Sequence, residues 1–522
     1  MGAYAQQEKR GSLKTFLQKN PKIILLALLA LVLTVRIPSL GSRSLWYDEA
    51  FSILFSRTGP AAMLQGTLGL VDGTAADVHP LLYYTLLWAW MLLVGQKVIV
   101  VRFLSVLIHL ALLILVWYLM QELFGLKQAV LAGLLFSFAP FQVHYGQEAR
   151  MYALLSLWLV SATLCVWKGM VDGRYYPWVA FGIFAALAMY THVLAVFYLI
   201  PLGLSPLFFR KLRLLRSVFL SALIAIVLYL PWGLQLPAQI SKVERAYWIA
   251  KPTLVDLVQT ILSFISGMPI HASWLPVILF CAILVIVLAG VQTFRAAREG
   301  DPHVEKATWL IYLSAAPVLL LFLVSQVRPL FVVRGLVPSG VIFLLWLAWA
   351  LTPRERRRLE SYFTIGCLAF AFAIGLFSRV TYRGFPYAPF ENVNDYIISE
   401  IDEGGIVLHS NKITMLPAFY YDESLQHTYI ADHPGAGSDT LALPTQEVLG
   451  LFAQPDALSA VGDAQQVFFV MFAREIGDYE ALGVVNHPHL TWLIEHYSLE
   501  EQTAWDDLSL YRFESREDVS LE

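Results

Sequence analysis

Twelve apolar runs punctuate the chain, at 23–35, 80–95, 99–119, 129–143, 151–167, 177–191, 193–209, 215–234, 274–294, 307–326, 332–351 and 361–378. Most approach the length of about 20 residues that an α-helix needs to cross a bilayer. Inside lipid every backbone N–H and C=O must be satisfied within the chain, so this pattern leaves one broad solution, a bundle of membrane-spanning helices. Composition agrees: 58% of the 522 residues are hydrophobic and 14% charged, more apolar surface than one water-surrounded core can hide. The net charge of -3 conceals a split. Residues 1–380 hold 31 Lys+Arg against 15 Asp+Glu, and residues 381–522 hold 5 against 24, so the two parts are expected in different surroundings.

Basic residues fix the expected topology, because short cytoplasmic loops retain Lys and Arg. Lys9, Arg10, Lys14, Lys19 and Lys22 precede the first run, and Arg36-Ile37-Pro38 follows it without a small-residue cleavage site. The first run is therefore read as an uncleaved span with the N-terminus in the cytoplasm. If all twelve runs crossed, the later basic loops would fall on the wrong sides. Run 80–95 is short, begins at His79-Pro80 and is rich in Tyr and Trp, so it is read as a membrane-embedded helix of the first external loop. Lys127, Lys168 with Arg174, the cluster Arg210 to Arg216, Arg295 with Arg298, and Arg354 to Arg358 then all become cytoplasmic. The expectation is a polytopic α-helical membrane protein of about 11 crossings. Its external segments are 39–98, 144–150, the turn at Thr191-His192, 235–272, 327–331 and the tail.

The division expected is a membrane domain over 1–379 and a soluble extracytoplasmic α/β domain over 380–522. Strands are predicted at 406–409, 428–430, 467–472 and 509–513, helices at 392–400 and 445–452, and a partly parallel sheet. No phosphate-loop or nucleophile-elbow pattern occurs there, and the tail is given an accessory role. Cys165, Cys281 and Cys367 all lie inside apolar runs; an odd set of such thiols makes neither a disulfide framework nor a metal cluster.

Chemistry gathers at the ends of the spans. In Ser44-Leu45-Trp46-Tyr47-Asp48-Glu49-Ala50-Phe51-Ser52, two adjacent carboxylates follow the first span, and carboxylates at a membrane boundary cost free energy unless a ligand, cation or water satisfies them. Asp48 and Glu49 suit cation binding, a basic ligand, or general-base work on a hydroxyl; the plainer reading is a solvated turn with Glu49 at the favourable end of a helix dipole. His79, two residues after Asp77, suits a lipid phosphate or a metal, or simply anchors the chain at the interface. Glu148, with Gln147, Arg150 and Tyr152, lies at the next external boundary and is read as orienting Arg150, with a structural ion pair as the alternative. Arg328 and Arg334 flank the span near 332, where a cation meets phosphate or snorkels. Lys242, Glu244, Arg245, Tyr247, Trp248 and Lys251 in loop 235–272 suit an amphipathic helix on the membrane surface. No basic stripe suits a nucleic acid and no ATP-binding signature is present, so any reaction must be driven by its own substrate.

The set Trp46-Tyr47-Asp48-Glu49-Ala50, His79-Pro80-Leu81-Leu82-Tyr83-Tyr84, Gln147-Glu148-Ala149-Arg150-Met151-Tyr152 and Arg334-Gly335-Leu336-Val337-Pro338 resembles the family-39-like glycosyltransferases of the GT-C class, which are similar to protein O-mannosyltransferases and lipid A aminoarabinose transferases. The likeness spans about residues 20–378. Three positions depart from the usual motifs: Leu81 where a second proline is frequent, Gly146 where serine is common, and Gly335 where tyrosine usually follows the arginine. The resemblance implies a GT-C fold in the cell (plasma or inner) membrane and a polyprenyl-phosphate-linked sugar as donor. It implies a lipid, glycan or protein as acceptor, inversion at the anomeric carbon, and Asp48 as base. Asp48 and Glu49 then stand as catalytic candidates, and His79, Tyr83, Glu148, Arg150, Tyr152, Arg328 and Arg334 as substrate-binding ones. A divalent metal is left open, with Asp48, Glu49, His79 and Glu148 as its candidate ligands. Two other classes fit the same residues in outline: a transporter or flippase of lipid-linked sugars, and an assembly protein whose acidic tail binds a partner.

Overall fold

A computed structural model describes residues 20–69, 79–237, 250–354, 357–433 and 439–516. All twelve apolar runs are helical. Eight helices among the described residues are long and apolar enough to cross a membrane, and five shorter apolar ones accompany them: Leu82–Val94, Leu126–Phe138, Tyr176–Thr191, Val193–Phe208 and Leu254–Ser266. The chain is a multi-span membrane protein that packs as two compact units. One comprises Met1–Leu40, Arg102–Tyr229 and Lys251–Tyr382; the other comprises Gly41–Val101, Leu230–Ala250 and Arg383–Glu522.

At the middle of the first unit lies the helix Val337–Leu351, buried along its whole length and packed against Val304–Ser325, Leu126–Phe138 and Tyr152–Asp172. Outer helices keep their apolar side chains exposed, as Leu220, Leu223, Ile226 and Val227 do on Leu215–Gly233; this is the surface expected where lipid replaces water as solvent. Close helix approach needs small residues. At Gly375 a Cβ would fall 1.9 Å from the carbonyl oxygen of Ser266, so only glycine lets that backbone pass. The helix Leu254–Ser266 opens with a reciprocal cap: the Asp256 backbone N–H donates to the Thr253 side chain, and the Thr253 backbone N–H donates to Asp256 Oδ2 at 2.7 Å. Leu254, Val255, Val258 and Ile261 on it are exposed while Leu262 and Ile265 are buried, so one of its faces packs and the other does not. The residues named for that loop between Lys242 and Trp248 lie outside the described residues.

The second unit is built on a six-stranded sheet in the order β3-β2-β1-β4-β6-β5. Here β1 is Ile406–His409, β2 His427–Ile430, β3 Ala453–Gln454, β4 Gln466–Phe472, β5 Tyr497–Trp505 and β6 Leu508–Ser515. Strands β1 to β4 run parallel, with Val407 opposite His427 and Phe468, and β6 is antiparallel to β4 and β5. Both faces of β4 are buried, which is why it reads as a continuous apolar run rather than an alternating one. The four anticipated strands are present, and the partly parallel sheet with them. Strand β5 escaped the sequence reading: its residues are half-buried or exposed, because an edge strand paired on one side needs no apolar alternation.

Three helices from the early chain, Tyr47–Arg57, Pro60–Leu68 and Leu82–Val94, belong to this same unit. Phe51 stacks on Phe55 at 5.2 Å, and Tyr84 meets both rings edge-on at 6.1 and 5.5 Å. The helix Lys412–Tyr421 packs on Tyr47–Arg57, and Leu443–Leu449 on Pro60–Leu68.

Candidate active site

Two polar constellations carry the anticipated residues, one in each unit. In the sheet-containing unit, Trp46 is extended and the helix begins at Tyr47, so Asp48 and Glu49 occupy its first turn. Negative charge at a helix N-terminus gains about 0.3–1 kcal/mol from the dipole. The pair is nevertheless not a solvated turn, for Asp48 is 7% and Glu49 1% exposed. Burying two carboxylates costs more than a dipole returns, so the helix end alone does not account for their burial. Burial pushes the neighbouring Tyr47 hydroxyl up to about 12; Lys412 opposes that shift while Asp439 and Asp48 add to it. His79 is half-buried just ahead of Pro80 and the helix Leu82–Val94, on which Tyr83 and Tyr84 are fully buried. Because Tyr84 packs on Phe51 and Phe55, the helix that follows His79 and the helix Tyr47–Arg57 that carries Asp48 are direct neighbours.

In the helical unit the short helix Pro140–Tyr145 ends and the backbone bends through Gly146–Met151 before the helix Tyr152–Asp172 starts. Gln147, Glu148, Arg150 and Tyr152 are all buried, between 1% and 5% exposed. Arg36, fully buried at the end of the first span, braces this bend. Its guanidinium donates to the carbonyls of Ser137 at 3.1 Å and Phe136 at 3.3 Å, and lies 3.4 Å from His109 Nδ1. The Gln147 amide donates to the Arg36 carbonyl and, at 2.7 Å, to the Ser39 hydroxyl, while Ser105 Oγ donates to the Glu148 carbonyl at 2.6 Å. Gly146 is required here: a Cβ would sit 2.6 Å from His109 Nδ1. His109 thus occupies the space that a serine at this position would need. Gly335 is similarly crowded, with Leu194 Cδ1 at 2.8 Å from where its Cβ would lie.

Beside the bend, Phe141, His144, Tyr145, Gln259, Ser263, Gly267, Met268 and Val333 line a cleft of about 190 Å³. Tyr145 meets Tyr152 edge-on at 5.2 Å, and Tyr152 lies 6.1 Å from His192. Arg334 follows Val333 in the short turn Val333–Leu336 and is half-buried next to the cleft wall. Arg328 is exposed beyond the end of the helix Val304–Ser325. Glu148, Arg150, Tyr152 and Arg334 therefore belong to one unit, and Asp48, Glu49, His79 and Tyr83 to the other. The sequence reading did not nominate Arg36, His109, His144 or Tyr145. A histidine inside the apolar run 99–119 and an arginine at the end of the first were the available signal, since ionisable groups in spans rarely lack a role. Among the described residues, no group of three or more His, Cys, Asp and Glu side chains is gathered to hold a metal ion.

Comparison with solved structures decides the architecture. ArnT from Cupriavidus metallidurans in the apo state aligns over 93% of this chain and 97% of its own, at a TM-score of 0.61 and 12% identity. The chain has a GT-C fold. The same protein bound to undecaprenyl phosphate aligns with the same coverage, identity and score. Residues 78–234 of this GT-C chain match the family described as dolichyl-phosphate-mannose-protein mannosyltransferase. No curated protein matches the sequence.

Proposed function

We propose that this GT-C protein is an inverting glycosyltransferase that moves a sugar from a polyprenyl-phosphate donor to an acceptor at the external membrane face. The observation that carries the reading is the buried carboxylate Asp48, held in the first turn of a helix, in a fold shared with a structure that binds undecaprenyl phosphate. An acceptor hydroxyl attacks the anomeric carbon from the face opposite the phosphate. The bond from that carbon to the phosphate oxygen breaks, polyprenyl phosphate leaves with the electron pair, and Asp48 takes the hydroxyl proton. Leaving-group charge needs cationic or hydrogen-bonding partners, for which Arg150, Arg334, Arg328 and His79 are the candidates. Glu49 serves the helix start more than the chemistry.

The orientation follows from the basic loops: Lys168, Arg174, Arg210 to Arg216, Arg295 and Arg298 face the cytoplasm. The acidic turn, the Gly146–Met151 bend and the sheet domain lie outside. Lipid, glycan or protein carrying a free hydroxyl is the acceptor class. The test is incubation of the purified protein with a panel of labelled polyprenyl-phosphate sugars. Consumption of one donor with release of polyprenyl phosphate is the expected result. Binding without release for every donor would favour translocation of lipid-linked sugars instead.

A further inference from the structure

Residues of the sheet domain hold the acidic turn from several directions. Arg383 donates to the Ser42 carbonyl at 2.8 Å, and the Arg43 guanidinium lies 4.4 Å over the Tyr387 ring. The Leu45 backbone N–H donates to the Tyr421 hydroxyl at 3.0 Å, and Trp46 lies 6.0 Å from Tyr387. The centre of this set is Lys412. Its side chain is 7% exposed, its ammonium is paired with Asp439 at 2.8 Å, and it lies 5.2 Å from the centre of the Tyr47 ring. A lysine this deeply buried is costly unless its charge is used. Burial would lower its pKa, but Tyr47, Asp439 and Asp432 together override that and hold the ammonium charged. Asp439 answers the charge; Tyr47, the residue before Asp48, receives the ammonium on its ring.

A helix N-terminus is free to fray unless something fixes it. Here the helix Lys412–Tyr421 meets the acidic stretch at both of its ends, with Lys412 on Tyr47 and Tyr421 on Leu45. Such a two-point brace fixes both the entry of the chain into the Tyr47 helix and the direction in which the next residue points. We infer that Lys412 is a positioning residue, through which the C-terminal domain sets the Tyr47–Asp48 turn in its reactive orientation. This rests on the role proposed for Asp48, and it makes the C-terminal domain a working part of the transferase rather than an accessory. Lys412 touches neither sugar nor phosphate in this account; it acts through Tyr47.

The experiment compares full-length wild-type protein, Lys412→Met, Lys412→Arg and Asp48→Asn, all in detergent. Two readouts are taken: turnover of the labelled donor that wild type consumes, and backbone hydrogen exchange over residues 44–52. Lys412→Met is expected to lower kcat by roughly ten- to a hundredfold with the donor KM unchanged, and to raise exchange over 44–52. Lys412→Arg should restore most of both, because it keeps the cation over Tyr47. Should Lys412→Met fold poorly with Asp439 left unpaired, the double variant Lys412→Met/Asp439→Asn removes both charges and carries the same expectation. A kcat within about twofold of wild type and unaltered exchange over 44–52 overturn the inference. Asp48→Asn separates the two levels. Its full activity overturns the role of Asp48, whereas its inactivity beside an active Lys412→Met overturns the positioning role alone.

Discussion

The acidic turn at Tyr47–Glu49 and the bend at Gly146–Met151 are both buried, polar and rich in candidate residues, yet they are built by opposite means. The bend is held by what a membrane span can supply: a fully buried arginine capping free carbonyls, a histidine ring filling the space over a glycine, and serine and glutamine donating to backbone. The acidic turn is held by what the sheet-containing unit supplies, namely tyrosine hydroxyls, aromatic faces, and a lysine paired with aspartate. In lipid a polar group has no water to fall back on, so its partners are fixed and costly to lose. The contacts of the acidic turn are buried or part-buried too, but two of them come from the side chains of one helix, Lys412–Tyr421. The two constellations are thus held by different kinds of partner, each within its own unit.

Replacing Arg36 by alanine tests the bend hardest. It strands the carbonyls of Phe136 and Ser137 in a buried setting, and a loss of about 3–5 kcal/mol is expected, read as a fall in thermal stability of the detergent-purified protein. Next comes Gly146→Ser, which forces its Cβ against His109; a cost of about 1–3 kcal/mol is expected. His109→Ala in the same chain should recover part of it. A Gly146→Ser protein as stable as wild type would remove the steric account of this position.

The sheet domain should break with acid. His409 Nε2 lies 3.0 Å from His427 Nδ1, and His427 Nε2 lies 2.9 Å from the Asp422 carbonyl. Burial holds both imidazoles neutral, His427 down to about 4 and His409 well below its ordinary value. Because the folded values are depressed, the unfolded chain binds more protons below about pH 6.5. The stability these groups contribute is therefore complete above that pH and falls as the pH drops toward 4. The protection of 406–409 and 427–430 against hydrogen exchange, relative to the intrinsic rate at each pH, should fall between pH 7 and pH 4.5, with His427→Gln flattening the response. The smallest effect is Tyr421→Phe, which removes the acceptor of the Leu45 N–H. About 1–2 kcal/mol of local stability should be lost, seen as faster exchange confined to residues 44–52.

Much of this was legible in the chain itself. Every apolar run became a helix, and four of the six strands stood where β-branched and aromatic runs placed them. Asp48-Glu49 stood out because adjacent carboxylates directly after a span are costly there; its burial, by contrast, shows only in the fold. Strand β5 was not, since Tyr497–Trp505 gains its structure from β6 rather than from an internal pattern. The brace on the acidic turn was invisible for a similar reason. Leu45 and Tyr421 are 376 residues apart, and nothing local to Lys412 signals that Tyr47 is its neighbour. Arg36 was seen only as a flank of the first span, because its partners at 136 and 137 come from a helix hairpin that one sequence does not register.

Single-turnover transfer by purified Asp48→Asn, with the donor that wild type consumes and with melting temperature and donor binding measured in parallel, tests the central claim most directly. The account predicts that transfer falls by at least about a hundredfold while folding and donor binding stay at wild-type levels. Transfer at the wild-type rate would contradict it.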